Sequence, residues 1–452
     1  MSGDRFASGD EGHALFTDLY ELTMLQAYWK EDRQQRAVFS LYFRHLPPAR
    51  NYALACGLDA ALSYLEHLRF TEPEIAQLRS LGFFSEEFLE WLRSFRFTGD
   101  VYALAEGTPV FPNEPLLEVV APLPEAQVAE SFAMNQIHLQ TVLATKASRV
   151  ALAAQGRTVV DFGMRRMHGT DAALRGVRAF YVGGVHATSN VLGGLMHDIP
   201  VAGTMAHSYI QAHESEAEAF RRFSSLYPQT ILLVDTYETI EGVRKVVDLA
   251  RELGDAFQVR GIRLDSGDLA QLAREARKVL DEAGLERLQI FASGDLDEYR
   301  IDEIVRSEAP IGAFGVGTRM GVSRDEPSLD LAYKLTEYAG TGRLKTSPGK
   351  ASLPGRKQVF RIEENGRSVR DLIGRHDEPQ PGRPLLEPVM RDGERLPAGR
   401  RTLREARERA AEELAKLPSH VRALEPARPA YTVEVSEALQ RDAEAVREKV
   451  AR

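Results

Sequence analysis

The sequence of 452 residues contains a single cysteine, Cys56. One thiol excludes an internal disulfide and any zinc site built from several cysteines, and we expect it to be a small buried apolar side chain. Residues 1–13 are polar, lack the apolar core of a signal peptide, and are expected to form a disordered tail. Because no run of about 18 apolar residues occurs, we expect no membrane-spanning helix.

Positive charge is also in short supply, with 57 lysines and arginines against 66 aspartates and glutamates, for a net charge of −9. This balance argues against general nucleic-acid binding and against binding to an anionic membrane surface. Internal repeats and low-complexity segments are absent as well. We therefore expect a cytoplasmic protein of ordinary globular composition, without nucleic-acid or membrane partners.

The length allows one large α/β domain and a second, smaller one. Residues 1–123 read as an α+β region that begins with a helix after Asp18 and continues with an alternating, half-buried strand over 37–43. Residues 124–330 open with one long helical pattern over 125–154. Residues 331–452 contain strands that return to the smaller domain, a loop with Lys345, Lys350 and Lys357, and a charged helix over 402–417.

After residue 154, strand-like and helix-like segments alternate every ~25–30 residues, the length of a βα unit. The predicted strands cover 158–162, 185–188, 199–203, 230–234, 259–264, 288–292 and 313–316. Short apolar strands with right-handed crossovers favour a parallel barrel or a near relative of one. A doubly wound open sheet is the structural alternative.

Small, polar or charged residues follow strand after strand in this region. In a parallel barrel the carboxyl ends of all strands lie on one face, and that face carries the active site. Any one of these residues could instead cap a helix. The stretches are FGMRR (162–166), TSN (188–190), GTMAHS (203–208), DTY (235–237), RLDSGD (263–268), SGD (293–295) and GVGT (315–318).

His207 is the first candidate for chemistry, because an imidazole takes up a proton or a phosphoryl group near neutral pH. The alternative is a core or capping histidine at a strand–helix junction. The glycines of GVGT resemble a phosphate cradle, in which backbone N–H groups approach an anion. Asp265 and Asp268, together with Asp235 and Asp295, could hold Mg²⁺ or a ribose diol.

Arg165, Arg166 and Arg263 supply cations for a carboxylate or a diphosphate, and Phe162 and Tyr20 offer flat faces to a ring. Taken together, these residues indicate a site for a phosphorylated sugar, a metal ion and a small aromatic anion.

Seven stretches resemble motifs of nicotinate phosphoribosyltransferase, a type II phosphoribosyltransferase family. They are DLYELTM (18–24), DFGMRR (161–166), HATSN (186–190), GTMAHS (203–208), RLDSGD (263–268), GVGT (315–318) and GKASLPGRKQVFR (349–361). The likeness runs from about residue 14 to 430. It implies an irregular parallel α/β barrel with a second, smaller α/β domain, which is built from the N-terminal region and the returning C-terminal region.

The resemblance implies an enzyme of NAD salvage that makes nicotinate mononucleotide and diphosphate from nicotinate and phosphoribosyl pyrophosphate. It further implies Mg²⁺, ATP hydrolysis coupled through a phosphohistidine, and a homodimer with shared active sites. Whether ATP is obligatory, and which lysines contact it, stays open.

The resemblance also implies roles for individual residues. His207 would be the phosphohistidine, with Arg263 and Asp265 on the ribose and metal side and Asp268 as a second metal ligand. Arg165 would meet the nicotinate carboxylate, although adjacent Arg166 is an equal candidate. The remaining substrate-binding residues would be Tyr20 (from the partner chain) and Phe162 around the ring, Ser189, Asn190 and Ser208 at the base, Gly294, Asp295, Gly315, Gly317 and Thr318 at the ribose and 5′-phosphate, and Thr204.

Two other functions were weighed against this one. Nicotinamide phosphoribosyltransferases resemble this chain but place an aspartate where Ser189 aligns, and an acidic group suits an amide and repels a carboxylate. A phosphosugar aldolase or isomerase barrel would require a lysine at a strand end for a Schiff base, or a carboxylate base. No lysine occurs at any of the predicted strand ends.

Overall fold

The computed structural model describes residues 14–347 and 352–451. The predicted tail over 1–13 and Lys350 of the predicted loop lie outside this range. The chain divides into two compact units, one comprising Met1–Thr145 with Glu326–Arg452 and the other Lys146–Asp325. We call them the terminal unit and the central unit. The sequence predicted domain boundaries at 123–124 and 330–331 instead.

The strands of the described residues follow in chain order. They are β1 Arg36–Phe43, β2 Ala53–Leu54, β3 Asp100–Leu104, β4 Pro109–Val110, β5 Leu117–Pro122, β6 Thr158–Asp161, β7 Ala187–Thr188, β8 Ile231–Leu233, β9 Gly261–Leu264, β10 Gln289–Ala292, β11 Ala313–Val316, β12 Leu331–Tyr338, β13 Thr341–Gly342, β14 Lys357–Glu364, β15 Arg367–Arg375, β16 Arg383–Pro384, β17 Leu386–Arg391, β18 Glu394–Arg395 and β19 Thr432–Val435.

The α-helices are named in the same way. They are α1 Leu19–Lys30, α2 Leu58–His67, α3 Glu72–Leu81, α4 Glu86–Arg93, α5 Leu123–Val128, α6 Glu130–Ala153, α7 Thr170–Val182, α8 Val191–His197, α9 His207–Gln211, α10 Glu216–Leu226, α11 Thr239–Leu253, α12 Leu269–Glu282, α13 Glu298–Arg306, α14 Thr318–Gly321, α15 Leu403–Lys416, α16 Ser419–Arg422 and α17 Glu437–Ala451. None of these described helices combines the length and apolar character needed to cross a bilayer.

The terminal unit contains a seven-stranded sheet in the order β13-β12-β1-β5-β3-β17-β18 and a four-stranded sheet in the order β16-β14-β15-β19. The terminal unit is the larger of the two units, whereas the sequence predicted it to be the smaller. Strand β1 is central rather than half-buried, because it pairs with β12 on one side and β5 on the other, and consecutive residues on both of its faces are buried. The long helix predicted over 125–154 is divided into α5 and α6.

Buried side chains fix these elements of the terminal unit. Tyr333 stacks on Phe39 with ring centres 4.9 Å apart, and its hydroxyl donates to the Ala126 carbonyl at 2.6 Å. Lys357 of the predicted lysine-rich loop is buried, and its Nζ lies 3.0 Å from Glu118 Oε1. Its ammonium group is therefore committed to an internal ion pair. Cys56 is buried as well, as predicted.

The central unit contains a six-stranded sheet in the order β7-β6-β11-β10-β9-β8, and every strand pair in it is parallel. The strand predicted over 199–203 is reduced to a single parallel bridge between Thr188 and Val201, supported by hydrogen bonds on both sides of Thr188. Within the described residues no ladder joins this segment to β8. The sheet is thus a curled parallel half-barrel, a near relative of the barrel that the sequence predicts.

The parallel order brings the carboxyl ends of the strands to one edge of the sheet. A small apolar cluster of Val160, Ala187, Phe291 and Ala313 lies along these strands, with Phe162 packed against it. The strand ends are therefore packed on an apolar cluster, and the polar side chains that follow them extend beyond it.

Candidate active site

Two cavities lie at the carboxyl ends of the central strands. The first, of about 300 Å³, is lined by Phe162, Arg165, Arg166, Arg263, Asp265, Ser293, Gly294, Asp295, Gly315, Gly317 and Thr318. The second, of about 370 Å³, is lined by Phe162, Met164, Arg165, Ser189, Gly203, Thr204, Met205, Ala206, His207, Leu233, Arg263 and Asp265. We call them the glycine cavity and the histidine cavity. They share Phe162, Arg165, Arg263 and Asp265, so they adjoin.

Arg263 forms the wall between them. Its Nε donates to Ser293 Oγ at 2.7 Å, its Nη1 to Thr204 Oγ1 at 3.0 Å and its Nη2 to Asp265 Oδ1 at 2.6 Å. The guanidinium also lies over the Phe162 ring, 5.2 Å from its centre. One largely buried cation therefore ties together the ends of β9 and β10, the segment before α9, and an aromatic ring.

His207 begins α9 and faces the histidine cavity. Its Nδ1 lies 3.1 Å from Thr236 Oγ1, and its Nε2 lies 3.8 Å from Asp265 Oδ2. The contact at Nδ1 orients the ring. Burial acts to raise the pKa of Asp265, but the hydrogen bond from Ser293 and the Arg263 guanidinium outweigh it and lower that pKa below its ordinary value. An ionised carboxylate thus faces Nε2.

Asp235 supports the position of Asp265 through hydrogen bonds. Its Oδ2 accepts hydrogen bonds from the Asp265 backbone N–H at 2.7 Å and from Ser266 Oγ at 2.8 Å. Its Oδ1 is buried and has no hydrogen-bond partner among the described residues. Asp235 therefore holds the turn that carries Asp265, and its Oδ1 is available to accept a further hydrogen bond.

The two predicted metal ligands are placed differently. Asp265 lines both cavities, whereas exposed Asp268 lines neither, and its Oδ1 accepts from the Gln271 N–H at 3.1 Å as the N-cap of α12. The described part of the chain holds no cluster of three or more His, Cys, Asp or Glu side chains suited to a metal. Because Mg²⁺ is often held by one or two carboxylates plus substrate phosphates, Asp265 fits such an ion. A ligand role for Asp268 stays a prediction.

Glycine is required at two of the predicted positions for steric reasons. A Cβ on Gly294, whose φ is +97°, would lie 1.8 Å from the Asp265 carbonyl oxygen. A Cβ on Gly315 would lie 2.5 Å from a Phe162 ring carbon. Gly294 thus allows two strand ends to touch, and Gly315 makes room for the ring. Gly317 and Thr318 line the glycine cavity, as the predicted cradle requires.

The structure distinguishes the adjacent Arg165 and Arg166, which were equal candidates from the sequence. Both are exposed, and neither guanidinium group has an ion pair or a hydrogen-bond partner within the described residues. Arg165 lines both cavities, while Arg166 lines only the glycine cavity. Unpaired guanidinium groups at a cavity are suited to an anionic ligand.

Ser189 of the predicted base pocket lines the histidine cavity, as does Thr204, which was predicted to bind substrate. The Asn190 side chain is buried and is occupied elsewhere, since Oδ1 accepts from the Gly193 N–H at 3.1 Å and Nδ2 donates to the Ala173 carbonyl at 3.3 Å. Ser208 is exposed and lies outside both linings. Substrate contacts by Asn190 and Ser208 stay predictions.

Tyr20 belongs to the terminal unit, where it lies on α1 and is 46% exposed. It lines a cavity of about 580 Å³ with Phe16, Asp18 and Glu130 among others. Burial and the Glu130 carboxylate raise the pKa of its hydroxyl, so the ring stays neutral. Its contribution to a partner's site stays a prediction.

Sequence reasoning missed the residues that hold the predicted ones in place. Ser293 and Thr236 fix Arg263 and His207, and both directly adjoin residues that were singled out. In the sequence, Asp161 is marked only by its place in the DFGMRR motif. Its buried carboxylate accepts from the Gly163 N–H and from Thr188 Oγ1, each at 2.7 Å. It therefore joins the ends of β6 and β7, from which Phe162, Arg165 and Ser189 extend.

Comparisons with known proteins agree with this geometry. Models of nicotinate phosphoribosyltransferase match three parts of the chain: the N-terminal domain model at residues 15–138, the family model at residues 158–351 and the C-terminal domain model at residues 382–442. The chain belongs to the nicotinate phosphoribosyltransferase family. All residues that line the glycine and histidine cavities fall inside the range of the family model.

Individual relatives carry the same name. The chain is 53% identical to nicotinate phosphoribosyltransferase pncB2 of Mycobacterium tuberculosis, over 94% of this chain and 92% of that protein. It is 41% identical to nicotinate phosphoribosyltransferase of Bacillus subtilis, over 82% of this chain and 77% of that protein. The crystal structure of human nicotinic acid phosphoribosyltransferase superimposes with a TM-score of 0.83 at 28% identity, covering 95% of this chain and 99% of the human one.

Asp161 gives a prediction about stability in this member of the family. Burial, opposed by its two hydrogen bonds, raises the pKa of Asp161 to about 6 from the ordinary 3.8. The folded protein then binds this proton more tightly than the unfolded chain, so the free energy of unfolding falls as pH rises from about 4 to 6. Asp161→Asn lacks this titration. Its stability relative to the wild type should therefore increase by about 1–3 kcal/mol between pH 4 and 7.

Urea denaturation of both proteins across this pH range measures the difference. Asp248→Asn, on the exposed face of α11, is the control, because it removes the same charge away from the sheet. A stability difference between Asp161→Asn and wild type that does not change with pH would contradict the prediction.

Proposed function

We propose that this chain is a nicotinate phosphoribosyltransferase that forms nicotinate mononucleotide and diphosphate from nicotinate and phosphoribosyl pyrophosphate, in NAD salvage. The observation that carries the proposal is the pair of adjoining cavities. One has a glycine-lined wall suited to phosphate, the other carries His207 and Ser189, and unpaired Arg165 borders both. A cytoplasmic location stays a prediction.

The reaction replaces the bond from ribose C1 to the diphosphate oxygen by a bond from C1 to the pyridine nitrogen. No proton has to move, and the transition state resembles an oxocarbenium ion. Such a reaction depends on positioning and on cations near the leaving group. In the proposal Phe162 supports the ring, Arg165 pairs with its carboxylate, and the glycine cavity holds the phosphorylated ribose.

Magnesium, when bound, would neutralise charge on the diphosphate leaving group. Asp265 would hold it, because this carboxylate is ionised and lines both cavities. Arg263 keeps that carboxylate in place through Oδ1, while Oδ2 faces His207.

ATP coupling is part of the proposal and is assigned to His207. With Nδ1 donating its proton to Thr236 Oγ1, the Nε2 lone pair is free to attack the γ-phosphorus of ATP. The bond from phosphorus to the ADP oxygen breaks as the bond to Nε2 forms. Water later cleaves the phosphorus–nitrogen bond and releases inorganic phosphate. His186 and His213 are weaker candidates, since their Nδ1 atoms contact backbone groups and neither residue lines the glycine cavity or the histidine cavity.

Nicotinate is favoured over nicotinamide by the charges around the histidine cavity. Ser189 carries no charge to repel a carboxylate, and Arg165 lies unpaired on the same cavity. A phosphosugar aldolase that uses a Schiff base is disfavoured, because no lysine lines either cavity in the described chain.

The proposed homodimer has a surface to support it. Helix α8 exposes apolar side chains on the central unit, namely Val191, Leu192, Leu195 and Met196, and Val201 lies exposed nearby. The terminal unit exposes Phe16, Leu19 and Tyr20 beside the acidic Asp18 and Glu130. Groups of exposed apolar side chains of this kind mark an interface. A second copy of this chain is the occupant that fits.

Purified enzyme given labelled nicotinate or nicotinamide, phosphoribosyl pyrophosphate and Mg²⁺, with and without ATP, tests the function directly. We expect product from nicotinate, faster with ATP. With [γ-³²P]ATP the label should appear on His207, survive base and be lost in acid. His207→Ala should lose ATP hydrolysis and its coupling but keep slow ATP-independent transfer, because the cavities remain.

His213→Ala is the matched control and should label normally. Phosphate mapped to His213 or His186 would refute the residue assignment, and no phosphoenzyme with no ATP effect would refute the coupling. Product from nicotinamide alone would refute the substrate.

The arginines give a second test. Arg165→Ala should raise the KM for nicotinate roughly 10- to 100-fold, through loss of a charge-assisted pair worth about 1.5–3 kcal/mol. Arg166→Ala should raise mainly the KM for phosphoribosyl pyrophosphate, because Arg166 lines only the glycine cavity. Steady-state kinetics with each substrate varied in turn measures both, each variant serving as the control for the other. Equal effects on both substrates in either variant would contradict the assignment.

Mixed dimers test the shared site. Tyr20→Ala and Arg263→Ala, co-expressed with different tags and purified through both, place one lesion in each copy. If Tyr20 serves the partner's cavity, one of the two sites is intact, and about half of the wild-type activity should return. If each copy uses its own Tyr20, both sites stay damaged and the mixed dimer should be no better than its parents. Purification of only monomers would reject the dimer itself.

A further inference from the structure

Arg319 connects the ends of two strands at the glycine cavity. It follows Thr318 at the start of α14, directly after β11. Its Nε donates to Asp295 Oδ1 at 2.8 Å, its Nη2 donates to the other oxygen of the same carboxylate, and its Nη1 donates to Asp297 Oδ2 at 2.6 Å. One guanidinium therefore holds two carboxylates of the segment that follows β10.

The segment it holds has an unfavourable backbone. Gly294 and Asp295 both have positive φ, at +97° and +48°, a region that residues with a Cβ rarely adopt. Gly294 touches the Asp265 carbonyl so closely that no side chain fits there. Such a conformation persists only where surrounding contacts enforce it, and the paired oxygens of Asp295 on Arg319 provide such contacts.

Asp297 fixes the other end of the segment. Its Oδ1 accepts from the Arg300 N–H at 2.9 Å as the N-cap of α13, and its Oδ2 receives Arg319. Because Asp297 is 8% exposed, this carboxylate is shielded from water and its contacts are strong. The turn of Gly294 and Asp295 is thus held between Arg319 and the start of α13.

We infer that Arg319 is a positioning residue for the phosphorylated substrate, acting through Asp295 and Asp297 to hold the Gly294 turn in the shape that the glycine cavity needs. The inference rests on the proposed function, since it takes phosphoribosyl pyrophosphate as the ligand of that cavity. A direct contact of Arg319 with substrate is the alternative. It is disfavoured because Nε, Nη1 and Nη2 all donate to carboxylates, and because Arg319 is not among the residues that line the cavity.

Substitution of Arg319 should affect the two substrates unequally. We expect Arg319→Gln to raise the KM for phosphoribosyl pyrophosphate about tenfold or more, and the KM for nicotinate less than about twofold. Arg319→Lys should rescue only part of the loss, because an ammonium lacks the planar fork that binds both Asp295 oxygens. Arg300→Gln is the control, since it removes the same charge from an exposed pair with Glu303 on α13, and it should behave as wild type.

A double-mutant cycle separates positioning from direct contact. If Arg319 acts through Asp295, the effects of Arg319→Gln and Asp295→Asn on the KM for phosphoribosyl pyrophosphate should overlap, and the double variant should be little worse than the more damaged single one. Multiplying effects would overturn the inference in favour of direct contact. Equal rises in both KM values, or a lower melting temperature with unchanged kinetics per folded molecule, would reduce Arg319 to a structural role and overturn it as well.

Calorimetric binding of phosphoribosyl pyrophosphate with Mg²⁺, without nicotinate, keeps this test apart from that of the reaction. If wild type binds the ligand, Arg319→Gln binds it about tenfold more weakly, and nicotinate is not converted, then the proposed function fails and the role of Arg319 stands. If wild type converts nicotinate and Arg319→Gln binds the ligand as well as wild type does, only the inference about Arg319 fails. A wild type that binds none of this ligand would overturn both.

Discussion

The candidate site depends on the burial of one cation, Arg263. A guanidinium that is 16% exposed in its side chain has to be paired and hydrogen-bonded, because an unpaired buried charge is costly. Asp265, Ser293 and Thr204 meet that requirement, and Phe162 covers the face of the group. These four partners come from three strand ends and one loop. Because the charge of Arg263 needs several partners, the residues that provide them are brought together around it. Arg263 thereby becomes the wall that the two cavities share.

The four arginines at and beside the two cavities fall into two groups with different roles. Arg263 and Arg319 are committed to carboxylates and give shape to the walls. Arg165 and Arg166 have no such partners among the described residues and border the cavities. A protein that must bind anions needs both kinds, since a cation already neutralised by a carboxylate attracts a second anion only weakly. Burial and pairing, not residue type, distinguish the two.

The fold could be predicted as far as local patterns reach. The strands of the central half-barrel could be predicted from short apolar runs separated by amphipathic helices. Their carboxyl ends could be predicted from the polar residues that follow each run. The open edge of the half-barrel could not be predicted, because periodicity indicates which faces are buried and not which edges pair. The alternating pattern also predicts a half-buried β1, whereas side chains on both of its faces are buried.

The sequence by itself determined the family, the parallel α/β character of the central unit, and most of the residues that line the cavities, because βα junctions are local and their motifs are contiguous. Only the tertiary structure decided which of these residues serve as caps, as Asp268 and Asn190 do, and which line a cavity. It also separated Arg165 from Arg166. The physical reason is that helix caps and ligand sites use the same polar residue types, so long-range contacts alone tell them apart.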